Sequence, residues 1–401
     1  MVNTILLIGT LDTKGTEYAY VRELILADGL NVLTMDAGVL GEPAFEPDVD
    51  AGEVAAAGGS SLEELRTRRD RGEAVEVMIR GVRRLVPQLY EEGRIHGVLA
   101  LGGGGGTSLA TAAMRELPVG VPKLMVSTMA SGDVSPYLGG KDITLMYSVV
   151  DIAGLNPLSR RILANAAGAI CGMVRQEVPE ADDRPIIAAS MFGVTTPCVN
   201  RVRERMEEAG YEVLVFHATG SGGRSMEGLI RDGYVAGVAD VTTTEWCDEV
   251  VGGVLSAGPT RLTAAGESGV PQVVSCGALD MVNFGAFASV PDPFKERNLY
   301  RHNPNVTLMR TTPDECREIG RRIAQHLSAA SGRTVLMLPL KGVSMLDDDG
   351  EPFFDPEADA ALFDALREHA GPSVDIVELD LHINDPAFAD AIADRLLELM
   401  A

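Results

Sequence analysis

The sequence has few aromatic residues, no closely spaced cysteines and no long apolar run. Aromatic residues make up 5% of the 401, which argues against a protein that binds nucleic acid by stacking bases on its side chains. The closest two of the five cysteines, Cys171 and Cys198, are 27 positions apart, so no zinc-ligand spacing is present. No apolar run approaches the roughly 20 residues that cross a bilayer, and the first residues do not resemble a signal peptide. These absences predict a cytoplasmic protein with reduced thiols.

Positive charge is also scarce. Lys and Arg number 34 against 58 Asp and Glu, for a net charge of −24. A field of this sign opposes binding to DNA, RNA and anionic lipid. The small cluster Arg66, Arg68, Arg69 and Arg71 favours a solvated face over a polyanion site, because no aromatic residue is interleaved with it. We therefore expect neither a nucleic acid nor a membrane as partner.

Glycine, in contrast, is abundant, with 44 residues. Short apolar segments alternate with helical patterns along nearly the whole chain, which predicts parallel sheets covered by helices on both faces. The predicted strands of the first half are Thr4–Gly9, Val32–Asp36, Gly97–Leu101, Lys123–Ser127 and Ile143–Val150. Those of the second half are Pro185–Ser190, Glu212–His217, Val235–Ala239, Gln272–Ser275, Val306–Met309, Thr334–Leu338 and Val374–Leu381.

The two series of strands resemble each other, as in a tandem duplication. Gly29–Leu33 matches Gly210–Leu214, and Thr144–Met146 matches Thr307–Met309. The fold class predicted is α/β, with two doubly wound Rossmann-like parallel-sheet domains. The first, residues 1–180, carries the glycine-rich loop, and the second, residues 181–401, ends in two extra βα units. The polar, proline-containing segment 178–184 is the predicted linker.

In such sheets ligands bind beyond the carboxyl ends of the strands, and three loops of the first half are unusual there. Gly9–Gly15 offers glycines, two Thr hydroxyls and Lys14 to a phosphate; the alternative is a plain turn capped by Asp12 or Thr13. Gly102–Gly106 suits a backbone that a ligand approaches closely; the alternative is a flexible lid. Ser127–Asp133 offers hydroxyls and one carboxylate.

The second half carries hydroxyls and acids at its loops instead of a glycine run. Thr243, Glu245 and Asn283 lie in two of these loops, and Arg297, Arg301 and His302 follow them. The arginines and the histidine can bind a carboxylate or a second phosphate. The alternative is that these side chains only join the loop to the next strand.

Long motifs in both halves resemble one known family. GTLDTKG, STMASGD, DVTTTE, GALDMVNFG, ERNLYRHNPNVTLMRT and PLKGVSMLDDDGEPFFDPEADAALF, together with the five-glycine loop, are similar to the ATP-binding domain of the tomato mosaic virus resistance protein. The resemblance covers nearly the whole chain. It implies two Rossmann-like halves, ATP as ligand and a homodimer. In plants a TIM-barrel-like domain follows, so a separate TIM-barrel-like protein is an implied partner here.

From loop position and this resemblance, we expect Mg-ATP in the first half and a small carboxylate metabolite in the interdomain cleft. The expected activity is kinase- or ligase-like, with Lys14, Glu245, Arg297 and His302 as catalytic residues. The alternatives are a non-enzymatic, nucleotide-responsive binding module and a dinucleotide-dependent oxidoreductase. The expected nucleotide contacts are Gly9, Thr10, Asp12, Thr13, Lys14, Gly15, Asp36, Gly103, Gly104, Gly105, Gly106, Thr107, Thr128, Ser131, Gly132 and Asp133, with Mg²⁺ on Asp133.

Overall fold

The structure is a computed structural model that describes residues 2–179 and 183–401. The chain divides into two compact units, Met1–Glu180 and Ala181–Ala401. The predicted linker, residues 178–184, lies partly outside the described residues. Within the part of the chain that is described, no helix is both long enough and apolar enough to cross a membrane.

The first unit is built on one five-stranded parallel sheet with the strand order β2-β1-β3-β4-β5. Its strands are β1 Thr4–Gly9, β2 Asn31–Asp36, β3 Gly97–Gly102, β4 Lys123–Ser127 and β5 Thr144–Tyr147. Its helices are α1 Leu11–Ala27, α2 Ala51–Ala57, α3 Leu62–Arg68, α4 Arg71–Glu91, α5 Gly104–Met114, α6 Ser135–Leu138 and α7 Pro157–Arg175.

Continuous apolar strands explain why this sheet is covered on both faces. In β1, Ile5 and Leu7 pack in a cluster with α1 and α7, whereas Leu6 and Ile8 pack on the opposite face with α4 and α5. Successive side chains of a strand point to opposite faces, so only a strand that is apolar at every position can fill both layers. The sheet therefore presents its polar loops at its ends.

The second unit has a six-stranded parallel sheet with the order β14-β13-β9-β8-β6-β7. Its strands are β6 Ile186–Met191, β7 Glu212–His217, β8 Val235–Thr242, β9 Gln272–Gly277, β10 Met281–Phe284, β11 Leu299–Asn303, β12 Val306–Arg310, β13 Thr334–Pro339 and β14 Val374–Leu379. Its helices are α8 Thr196–Glu208, α9 Ser221–Arg231, α10 Glu245–Val251, α11 Ala264–Ser268, α12 Pro313–Ser328, α13 Pro356–His369 and α14 Pro386–Met400.

The fold class predicted from the alternation of strands and helices is confirmed, since both units are Rossmann-like with parallel sheets. In each sheet we start from the strand that is second in the sequence of its unit. The strand order then begins β2-β1-β3-β4 in the first unit and β7-β6-β8-β9 in the second, so the two units share this part of their topology. A shared strand order of this kind agrees with the predicted relation between the halves.

One predicted match between the halves is wrong. Thr144–Met146 lies in β5, parallel to β4, whereas Thr307–Met309 lies in β12, which belongs to a separate antiparallel sheet of order β10-β12-β11. The place next to β9 is taken by β13. Short strands joined by tight loops pair with each other antiparallel, and the sequence comparison had no means to detect this small sheet.

Candidate functional site

Helix α5 begins inside the glycine run, at the carboxyl end of β3. Gly102 ends β3, Gly103 is the N-cap residue, and Gly104 to Gly106 form the first helical turn. The flexible-lid alternative is therefore wrong. The N-cap glycine has no side chain to accept from the first amides, and amides in the first turn of a helix have no acceptor within the helix. Three N–H groups and the positive end of the helix dipole thus face the sheet edge.

The missing side chains of these glycines are not explained by the protein's own packing. A Cβ on Gly105 would meet nothing within 4 Å, and one on Gly103 or Gly104 would make only ordinary contacts, at 3.7 Å to Thr128 Oγ1 and 3.8 Å to Met129 Sδ. None of the three has a positive φ. Left-handed backbone therefore does not explain these glycines either, and what they provide is open space above the helix end.

The loop after β4 borders this space. A 3-10 turn, Thr128–Ser131, follows β4 and is capped by Ser127 Oγ, which accepts from Met129 N at 2.9 Å. The hydroxyls of Thr128 and Ser131 make no hydrogen bond with the described residues. They are free to meet a ligand, whereas the N–H of the exposed Gly132 donates to Met129 O at 3.1 Å.

The side chain of Thr107 bonds to the protein itself. Its hydroxyl is fully buried, donates to Gly103 O at 2.8 Å and lies 2.6 Å from Ser127 Oγ. This pair joins the first turn of α5 to the end of β4. Thr107 therefore holds the two loops together and leaves the ligand contacts to its neighbours.

Asp133 is exposed and lies at the end of this loop. Its Oδ1 accepts from Ser135 N at 3.0 Å and from the Ser135 hydroxyl at 2.7 Å, and these bonds lower the pKa of its carboxyl. Among residues 2–179 and 183–401, no group of three or more His, Cys, Asp or Glu could hold a metal ion.

The loop after β1 is largely occupied by the protein itself. Asp12 Oδ2 accepts from Leu40 N at 2.8 Å and Gly41 N at 3.1 Å, so this carboxylate ties down the segment after β2. The hydroxyls of Thr10 and Thr13 lie 2.8 Å apart on the surface, where both remain accessible.

Close packing explains the two glycines of this loop. A Cβ on Gly9 would lie 2.0 Å from the Tyr18 hydroxyl, and one on Gly15 would lie 2.3 Å from Ala44 Cβ. Both glycines therefore make room for protein atoms. Neither distance indicates a ligand.

Lys14 and Asp36, two charged residues predicted to contact the nucleotide, are held by backbone groups. Lys14 Nζ donates to Ile152 O at 2.5 Å, which ties α1 to the segment before α7. Asp36 is 2% exposed, and its Oδ1 accepts from Leu11 N at 2.9 Å and Gly38 N at 2.8 Å. Burial raises the pKa of Asp36. This carboxylate thus binds the N-terminus of α1, and its expected contact with the nucleotide stays a prediction.

In the second unit, Glu245 is buried in a charge cluster around Arg261. Arg261 Nε donates to Glu245 Oε2 at 2.6 Å, and the two terminal nitrogens donate to Asp240 at 2.5 and 2.6 Å. Gly220 N and Gly223 N donate to Glu245 Oε1 at 2.6 and 3.2 Å. The N-terminus of α9 thus already holds a carboxylate from the chain itself. Both oxygens of the Glu245 carboxylate are therefore bonded within the chain, and its catalytic role stays a prediction.

Arg297, also predicted as catalytic, joins a loop to helix α12. It donates to both carboxylate oxygens of Glu315, at 3.0 and 2.8 Å, and to Arg310 O at 2.8 Å. Glu315 in turn completes the capping box of α12 with Thr312, and its pKa is lowered by Arg297. The structural alternative for Arg297 is the one that the geometry supports.

Arg297→Ala should destabilise the protein by about 1.5–3 kcal/mol, because it removes charge-assisted hydrogen bonds from a half-buried carboxylate. Denaturant unfolding measures this change. Arg317→Ala is the matched control on the same helix: its pair with Asp314 is exposed, so its loss should cost less than about 1 kcal/mol. Equal effects of the two substitutions would contradict this role for Arg297.

His302 lies on β11, at the edge of the small antiparallel sheet, and is exposed. Its neighbour Arg301 places its guanidinium 3.8 Å from the centre of the Phe287 ring. The structure therefore does not bring His302 together with Glu245 or Arg297, which are held in separate networks.

A second buried cluster escaped the sequence analysis. Arg310 Nη2 donates to Asp359 Oδ1 at 2.6 Å and to Asp347 Oδ1 at 3.4 Å. Burial raises the pKa of the nearby Asp280 to about 6, although the positive charge of Arg310 opposes this shift. Asp280 Oδ1 is buried without a hydrogen-bond partner among the described residues. The acid run after β13 was the available signal, but nothing local indicates which of its members is buried.

Fold and site together define a two-unit, Rossmann-like α/β protein with an open helix N-terminus at the sheet edge of its first unit. Two family models account for nearly the whole chain. The N-terminal domain model of the uncharacterised protein family UPF0261 matches residues 3–179, and the C-terminal domain model of the same family matches residues 184–400. The chain therefore belongs to the UPF0261 family.

Relatives agree with this assignment. A UPF0261 protein of Clostridium tetani is 55% identical over 402 residues, which is 100% of each chain. The ToMV resistance protein Tm-1(GCR237) of Solanum lycopersicum is 44% identical over 337 residues, which is 82% of this chain but 45% of the tomato protein. The resemblance of the motifs to the tomato protein is thereby confirmed, whereas ATP as the ligand stays a prediction.

Solved structures add nothing to the argument about function. A UDP-GlcNAc 2-epimerase of Methanocaldococcus jannaschii, solved with UDP-GlcNAc and UDP, aligns over 68% of this chain and 83% of its own at 8% identity, with a TM-score of 0.22. A score this low carries no inference about ligand or reaction.

Proposed function

We propose that the protein binds Mg-ATP at the carboxyl edge of the first unit's sheet, with the phosphates at the N-terminus of α5. The observation that carries this proposal is the first turn of α5: three amides without an acceptor, under glycines whose absent side chains leave open space. Backbone N–H groups and the helix dipole stabilise phosphate charge. The family resemblance seen in the motifs names ATP as the ligand.

The neighbouring polar groups fit this ligand. Thr128 and Ser131 supply hydroxyls that make no hydrogen bond with the described residues. Mg²⁺ in nucleotide sites is commonly held by one or two carboxylates together with phosphate oxygens, so Asp133 suffices as the single protein carboxylate. Bound Mg²⁺ would neutralise phosphate charge. This neutralisation matters here because a chain with a net charge of −24 repels a polyanion.

Of the two ATP-dependent functions considered from the sequence, the nucleotide-responsive binding module is the better supported. A kinase- or ligase-like reaction needs free catalytic groups. Three of the four predicted ones, Lys14, Glu245 and Arg297, are held by the protein itself. Incubation with Mg-ATP and small carboxylic acids tests the enzymatic alternative: sustained release of ADP or AMP would favour it.

The double substitution Gly104→Ala/Gly105→Ala tests the phosphate site. Two Cβ atoms would occupy the space above the helix end, so the affinity for Mg-ATP should fall about ten- to a hundredfold, as expected for losing charge-assisted contacts. The helix itself should be as stable or more stable, since Ala is a better helix former than Gly. Calorimetric titration of the whole chain with Mg-ATP measures the affinity.

Gly168→Ala in α7 is the matched control. A Cβ at this position also meets nothing within 4 Å, and the helix carries no proposed ligand. It should leave the affinity unchanged. An unaltered affinity in the folded Gly104→Ala/Gly105→Ala variant would refute the phosphate site.

A further inference from the structure

Large exposed apolar side chains gather beside the end of α5. Met129 is 39% exposed, Tyr147 43% and Val149 56%. All three lie at or just after the carboxyl ends of the neighbouring strands β4 and β5. Burying such side chains is favourable, and apolar groups gathered beside polar ones are typical of a ligand site.

Tyr147 lies on the same face of the sheet as α5. Leu145, two positions earlier in β5, packs in the cluster that contains Leu109 and Ala110 of α5, whereas Met146 packs on the opposite face. Because side chains alternate along a strand, the Tyr147 side chain points to the α5 face. Tyr147 is also the Cα partner of Ser127, the last residue of β4.

Met129 connects this tyrosine to the first turn of α5. Its Sδ lies 3.8 Å from where a Cβ on Gly104 would be, and its backbone N–H is bound by Ser127 Oγ. Adjacent strands lie about 4.8 Å apart, so Tyr147 is one strand spacing from Ser127. The 3-10 turn Thr128–Ser131 contacts both α5 and β5, so it lies between the helix end and the strand that ends in Tyr147.

The Tyr147 ring has no polar or aromatic partner among the described residues. It makes no hydrogen bond, aromatic pair or cation–π contact with residues 2–179 or 183–401. A half-exposed tyrosine ring offers a flat apolar surface on which a heteroaromatic base can stack.

We propose that Tyr147, flanked by Met129 and Val149, is the platform on which the base of the bound nucleotide stacks. This inference rests on the proposed phosphate site. It adds the requirement that the ligand is a nucleoside polyphosphate, because a polyphosphate alone would contact the helix amides but not the tyrosine ring. The amides of α5 hold the phosphates, and the ring holds the base.

Titration of the whole chain with Mg-ATP and with Mg-tripolyphosphate separates the two halves of the site. Tyr147→Ala should weaken Mg-ATP binding about tenfold, a typical loss for removing one stacking partner, and should leave tripolyphosphate binding unchanged. Tyr147→Phe, which keeps the ring, should bind both ligands as the wild type does. Unaltered circular dichroism establishes that each variant is folded.

Three outcomes would overturn the stacking proposal. If Tyr147→Ala binds Mg-ATP with wild-type affinity, the base lies elsewhere, while the phosphate site stands. If Tyr147→Ala weakens both ligands equally, or only dissociates a dimer of the chain, the ring does not act on the base. If neither ligand binds to the wild-type protein, the phosphate site and the stacking platform fail together.

Discussion

Arg261→Met should destabilise the second unit by about 3–5 kcal/mol, the usual cost of removing one partner from a buried charge network. The Arg261 side chain is 1% exposed, and those of Asp240 and Glu245 are 3% and 0% exposed. Glu227 lies 3.6 Å from the same guanidinium. Without Arg261, three buried carboxylates face one another with no positive charge between them.

The position of this network explains why the loss should be global. Asp240 lies in the central strand β8, Glu245 begins α10 and binds the N-terminus of α9, and Glu227 lies within α9. Arg261 therefore joins one strand and two helices. Burial raises the pKa of Glu227 even with Arg261 present, so removing the arginine should force protons onto the carboxylates.

Arg231→Met is the matched control for this prediction. Arg231 pairs with the same Glu227 and with Glu267, but its side chain is 41% exposed. Its loss should cost less than about 1 kcal/mol. Urea denaturation of the whole chain followed by the fluorescence of Trp246, the single tryptophan, measures both variants. A stability of Arg261→Met within 1 kcal/mol of the wild type would contradict the argument.

The buried clusters also show which structural features can be predicted from sequence patterns and which cannot. Continuous apolar segments such as Ile5–Ile8 identify parallel strands, because the requirement to fill both faces is local. A partnership such as that of Asp240 with Arg261 spans 21 positions and leaves no local mark. The DVTTTE motif is polar at the end of a strand, as a binding loop is, but its acid is turned inward to an arginine that the fold brings near.

For the glycine run, too, the sequence predicted only part of what the structure shows. Its composition indicated close approach by a ligand, and the open space at Gly105 supports that interpretation. Glycine's low helix propensity predicted a loop, yet the packing of Leu109, Ala110 and Ala113 on the sheet extends the helix to Gly104. Tertiary contacts thus decided the conformation, while close approach by a ligand stays a prediction.

The cluster around Arg310 should make stability fall as the pH rises. Asp347 is fully buried beside Asp280 and Asp359, with only one arginine among the three carboxyl groups. Burial, reinforced by the two neighbouring carboxylates, raises the pKa of Asp347 from 3.8 to about 9. The folded protein therefore holds a proton that the unfolded chain releases near the ordinary value.

The direction of the effect follows from proton linkage. Between the unfolded pKa of 3.8 and the folded pKa of about 9, the folded state binds one more proton than the unfolded state. Stability then decreases with rising pH, by up to about 1.4 kcal/mol per pH unit for one proton. The stabilisation is complete below the lower value and is lost once the pH passes the upper one.

Asp347→Asn should remove this slope. An amide is neutral at every pH, its oxygen can accept from Val343 N, as Asp347 Oδ2 does at 2.9 Å, and its N–H₂ can donate to Asp359. Asp348→Asn, one position along and exposed, is the control and should retain the wild-type pH dependence. Denaturant unfolding at a series of pH values compares the three proteins. An unchanged slope in Asp347→Asn would assign the proton to Asp280 or Asp359, because these two carboxyls share the same arginine.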